Sequence, residues 1–184
     1  MLPDPMHPIV VHFPVVLSVL LPIVALVSLY AIKGGARPLR AWGTAVAVAA
    51  ALTLSSWVAV ETGEQQEERV EDVVGEARLD THAGAGQTLL YTSVGVLAVL
   101  ALGLMPGDKG RVARYAGAVG TLAVAGMAFR VGMTGGDLVY KYDAASAYTA
   151  PGGAAGEGGA AANDAPGENG ESGEKGEASE KGER

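Results

Sequence analysis

The chain holds three histidines in 184 residues, His7, His12 and His82, and no cysteine. Imidazole is the side chain best suited to hold a transition metal or a haem iron. The lack of cysteine removes disulfides, thiolate ligands and thioether-linked haem. Any metal must therefore be held by His, Met, carboxylate or backbone oxygen. His7 and His12 are five residues apart, which on a regular helix is ~140° around the axis and ~7.5 Å along it. They cannot chelate one ion from a single helix face as an i, i+4 pair would. His82 comes from a different segment, at about the depth of His12. The predicted ligand set is thus His12 with His82, as facing helices of a bundle hold a haem between them. The alternative, in which each histidine sits at the membrane interface with a water or backbone partner, remains open.

Around these residues, Arg130 is placed to anchor a haem propionate or to pair with Glu61, or else to extend its stem to the lipid headgroups. His7 reads as a contact behind the ligands. Met6, Met127 and Met133 are soft donors by type, although methionine in a membrane helix more often only packs. Ser55 and Ser56 lack a nucleophile-elbow context, so the sequence does not read as an enzyme.

The elements that position these groups are apolar blocks. Ile9 to Ile32, Ala41 to Val60 and Ala83 to Met105 contain no Asp, Glu, Lys or Arg, and Tyr115 to Gly136 contains only Arg130. Each reaches the roughly 20 residues that span ~30 Å of hydrocarbon. The first block lacks the basic leader of a cleaved signal peptide. The fold predicted is all-α and membrane-embedded, a four-helix transmembrane bundle over residues 1–150. Residues 151–184, rich in Gly, Ala and Glu, are predicted to form a disordered acidic tail. Small residues such as Ala45, Ala49, Gly117 and Gly120 would let helices approach closely. Pro14 and Pro22 are expected to bend the first span. Gly135-Gly136 is expected to end the fourth. No internal repeat is apparent that would suggest an inverted-repeat transporter.

Lys33, Arg37 and Arg40, and then Lys109, Arg111 and Arg114, mark two basic loops as cytoplasmic, while the loop from Glu61 to Asp80 is acidic. Both termini and all three histidines then lie outside. The location expected is the bacterial plasma (inner) membrane, with the lipid bilayer and a redox protein of the membrane or periplasm as partners. No nucleic-acid partner is expected, and the sequence does not fix the oligomeric state.

His7-Pro8, His12-Phe13-Pro14, Thr62-Gly63-Glu64, His82 and Gly135-Gly136-Asp137-Leu138-Val139-Tyr140 occur in the order and spacing of a bacterial integral-membrane family. Over about residues 5 to 143 the chain resembles the family catalogued as domain of unknown function 2231. Family members continue Tyr-x-His-Gly after the fourth span, where this chain has Tyr140-Lys141-Tyr142-Asp143. Many also carry His-Glu at the third, where Ala83 follows His82. Fusion of some members to cytochrome c or Rieske-type domains implies redox company.

Three functions are expected to compete. One is an electron-transfer accessory protein with haem b on His12 and His82, assisted by His7 and Arg130. Another is a copper-handling protein using His7, His12, His82 and Met133. The third is a cofactor-free assembly subunit.

Overall fold

The computed structural model describes residues 6–149, and these form helices and turns without a strand. The chain runs through α1 (His7–Val10), α2 (His12–Lys33), α3 (Pro38–Glu64), α4 (Glu67–Val74), α5 (Glu76–Leu102) and α6 (Gly107–Tyr140), then a 3-10 turn at Ala144–Tyr148. Four segments are long and apolar enough to cross a membrane: His7–Lys33, Pro38–Glu64 and Glu76–Leu102 with 27 residues each, and Gly107–Tyr140 with 34. The all-helical, four-span architecture read from the apolar blocks is the one observed. The acidic tail lies outside the described residues.

The bundle is built inside out compared with a water-soluble one. On α2 the buried stripe is Pro14, Ser18, Leu21, Ala25 and Ser28, at alternating steps of four and three residues. The large apolar side chains turn outward, Leu26 at 61 % exposure on α2 and Val119 at 69 % on α6. Such residues belong against lipid, where burial between helices has no hydrophobic drive and close packing takes its place. Gly117 and Gly120 supply that closeness. A Cβ at Gly117 would stand 2.7 Å from Leu100, and one at Gly120 would stand 3.1 Å from Val96. Within the spans α2 packs on α3 and α5 on α6, and across the bundle α3 packs on α5 and α2 on α6.

Three local readings are corrected. Gly135-Gly136 does not end the fourth helix, because α6 continues to Tyr140. The helix is held there by Leu138, which is buried with Val70 and Val74 of α4 and with Ala144. The acidic segment after the second span is not merely a loop. It forms α4, whose Val70 and Val74 face the bundle end while its acids face outward. Arg114, expected in a basic loop, lies within α6 and is 7 % exposed.

Arg114 has a structural task at the end of the bundle opposite the histidines. The last carbonyls of α5 run out of regular helical donors, and the Leu100 carbonyl takes the Gly103 N–H at 3.0 Å. Arg114 Nη1 donates to the Gly103 carbonyl at 2.6 Å, and Trp42 Nε1 donates to the Leu100 carbonyl at 2.8 Å. The guanidinium also places positive charge at the negative end of the α5 dipole.

Candidate functional site

The first span begins with one turn of helix, α1, which carries Pro8 in its opening turn and stops at Val11. The break precedes Pro14, whose missing N–H and ring disfavour a regular approach to the helix. Pro22 is accommodated inside α2, which continues past it to Lys33. The backbone stays helical through the interruption: Val11 is in the right-handed helical region and its N–H bonds to the His7 carbonyl at 3.1 Å.

His7 turns inward against the end of α3. Its Nδ1 lies 2.9 Å from the Ala59 carbonyl oxygen and 3.3 Å from Thr62 Oγ1. The Thr62 hydroxyl itself donates to the carbonyls of Val58 and Ala59. Its proton is thus engaged, and its oxygen accepts from the ring. With a carbonyl and an accepting hydroxyl on one side, His7 must carry its proton on Nδ1. The Nε2 lone pair is left available.

His82, in α5, is held in the same way by α6. Its Nδ1 lies 2.9 Å from Thr134 Oγ1. Thr134 donates its own proton to the carbonyls of Val131 and Arg130. The Val131 backbone also hydrogen-bonds the ring, and because a carbonyl can only accept, His82 is assigned the same form, with its proton on Nδ1 and Nε2 unprotonated. Neither Nε2 makes a hydrogen bond among the described residues. An imidazole that donates through Nδ1 to a protein acceptor, with Nε2 free, is oriented as metal-binding histidines are.

The two rings meet. Their centroids are 6.4 Å apart and their planes stand at 87°. Glycines let each ring lie flat against the neighbouring helix. A Cβ at Gly63 would stand 3.1 Å from His7 Cε1, and one at Gly135 would stand 3.0 Å from His82 Cε1. The second contact explains why a glycine occurs inside α6.

Of the residues singled out by sequence, the structure brings His7 and His82 together. His12 lies on the exposed surface of α2, so the pair that faces across the bundle is His7 with His82 rather than His12 with His82. Arg130 is also exposed and makes no ion pair with Glu61, although its carbonyl accepts from Thr134. Met133 is 52 % exposed, while Met127 packs on the core. Thr62, Thr134 and Gly135 are functional neighbours that histidine counting alone could not find. The signal available was the repeated Thr-Gly pair near the ends of the second and fourth spans.

Among the described residues, no group of three or more His, Cys, Asp or Glu side chains converges as a metal site. The donors that the described residues bring into contact with each other are the imidazoles of His7 and His82.

Four lipid-facing helices with a pair of tautomer-locked imidazoles at one end define a multi-pass helical membrane protein. The family profile described as "Predicted membrane protein (DUF2231)" matches residues 3–147, and the chain belongs to that family. No curated protein and no solved structure matches it.

Proposed function

We propose that this protein is a redox accessory of the bacterial plasma membrane which holds one haem b between His7 and His82. The observation that carries the reading is the pairing of two imidazoles at 6.4 Å, each bound through Nδ1 so that Nε2 is the free nitrogen. A bare divalent ion normally asks for three or four protein donors. A two-imidazole set suits a metal whose remaining positions are already filled, as the porphyrin fills those of haem iron. The haem would supply one-electron chemistry. The protein's own part is to present two neutral imidazoles, to fix their orientation, and to surround them with apolar helix.

In this reading His7 would hold the group together with His82, in the place that spacing assigns to His12, and His12 would have no part in holding it. Arg130, exposed at the same end of the bundle, is the cation available to a propionate. The basic loops at the opposite end favour an orientation with the histidine end and both termini on the periplasmic side. The partner is then a redox protein of the membrane or periplasm. Linear copper(I) uses the same two nitrogens and is the second reading, favoured by the same small donor set.

The test is an absorption spectrum of protein purified after haem-replete expression, oxidised and reduced, together with elemental analysis. The account expects a Soret band and sharp reduced α and β bands at one haem per chain. Stoichiometric copper without a Soret band would transfer the site to the second reading. Neither haem nor metal would leave an assembly subunit and end both.

A further inference from the structure

The histidine pair belongs to a larger regularity. Ser18 follows His7 by eleven residues and Ser93 follows His82 by eleven. Both serines are buried, and each donates to the carbonyl three residues back at 2.7 Å. On the second helix of each pair the register is equally strict. Ala49 precedes Thr62 by thirteen residues, and Thr121 precedes Thr134 by thirteen. Both of these are buried, as are Leu52 and Val124 at the next matching position.

The contacts match as well as the positions. His7 lies against Thr62, Gly63 and the Ala59 backbone, and His82 lies against Thr134, Gly135 and the Val131 backbone. Each threonine donates to the same two upstream carbonyls of its own helix. The packing of α3 on α5 is matched by that of α6 on α2. A rotation that exchanges α2 with α5 and α3 with α6 accounts for all of these relations. Its axis runs along the bundle, because both histidines begin their spans at the same end.

We infer that the bundle is a tandem repeat of one helical hairpin, and that its two copies build a single two-fold site in which Thr62 and Thr134 are equivalent positioning residues. The two hairpins run in the same direction, so the repeat is parallel rather than inverted. The residue types at the histidine end are the same in both copies: His, Thr and Gly. At the opposite end they diverge, with Trp42 in one copy standing where Arg114 stands in the other. The polar types that contact each other, His with Thr and Gly, are the same in both copies where the rings meet, as a ligand on the axis would require. A ligand on that axis would be held by one imidazole from each copy, which would make one ligand per chain. The symmetry is modulated by distance. His7 is closer to the carbonyl than to its threonine, at 2.9 against 3.3 Å, whereas His82 has its threonine at 2.9 Å.

This inference rests on the proposed haem site for its ligand, but not for its positioning residues. The experiment therefore has two arms, both on the full chain in detergent micelles. The first reads the ring nitrogens of ¹⁵N-histidine-labelled protein without haem. Wild type should show two rings protonated on Nδ1. Thr62→Val should perturb the His7 signals alone and Thr134→Val those of His82 alone, while Thr62→Ser and Thr134→Ser should restore the wild-type pattern. The second arm titrates haem. Thr134→Val should weaken binding about tenfold and Thr62→Val, whose ring keeps the Ala59 carbonyl, about threefold, with the midpoint potential moving in the same direction in both. Rings protonated on Nε2, or a threonine whose loss leaves its histidine unchanged, would overturn the inference. Failure of wild type to bind haem with the first arm intact would remove the haem reading and leave the two-fold arrangement standing.

Discussion

His7 and His82 come from the first and third spans and meet with their ring planes at 87°. Neither ring is free to rotate independently, since each Nδ1 is tied to an acceptor on the adjacent helix. A ferric haem held between such rings would have nearly perpendicular axial imidazoles. The electron paramagnetic resonance spectrum is then expected to show the highly anisotropic low-spin signal of crossed imidazole planes. A rhombic signal typical of parallel planes would mean that the rings reorient on binding.

The glycines beneath the rings set the spacing of the site. Gly63→Ala and Gly135→Ala each place a methyl group at 3.1 and 3.0 Å from a histidine Cε1, so each ring must shift by a few tenths of an ångström. The expected cost in stability is about 1 kcal/mol each, at the low end for overpacking, with a larger effect on haem retention. Gly132→Ala meets nothing within 4 Å and serves as the control. Thermal denaturation in detergent, read alongside haem content, checks the contrast.

At the other end of the bundle, Arg114→Met leaves the Gly103 carbonyl without its buried side-chain donor, and Trp42→Phe removes one of two donors to the Leu100 carbonyl, which keeps the Gly103 N–H. Each is expected to lower stability by about 1–3 kcal/mol. Both lie far from the histidines along the bundle, so the absorption spectrum of the surviving folded fraction should match wild type. A spectral change in either variant would show that the two ends are coupled.

Because the chain has no cysteine, single cysteines report its topology directly. Glu68→Cys, on the exposed face of α4, is expected to react with a membrane-impermeant maleimide added to spheroplasts. Arg111→Cys, in the basic turn where α6 begins, should react only after lysis. The reverse pattern would place the histidine end in the cytoplasm.

Much of the fold was legible in the sequence because the bilayer is a strict solvent. An uncharged block such as Ala41 to Val60 is long enough to cross the hydrocarbon, and a helix is the form in which it satisfies its own backbone there. The site was less legible because it depends on which way each ring turns. His7 and His12 lie about 140° apart around the first span, and it is the His7 side that meets α3 while His12 is on the exposed face. Regular helix geometry separates the two rings but does not say which of them faces the bundle. Gly135-Gly136 carries the usual signal of a helix end, but here a glycine is needed for contact with His82. The internal repeat escapes a reading of letters because most matching core positions conserve burial rather than identity, as with Leu52 and Val124 or Ala49 and Thr121.

Holding of haem by His7 and His82 is decided by the haem content of His7→Ala, His82→Ala and His12→Ala, purified side by side from haem-replete cells. The account predicts that His7→Ala and His82→Ala each lose the low-spin Soret and reduced α bands, while His12→Ala keeps both at wild-type intensity. A Soret band that survives loss of His7 but disappears with His12 would contradict it.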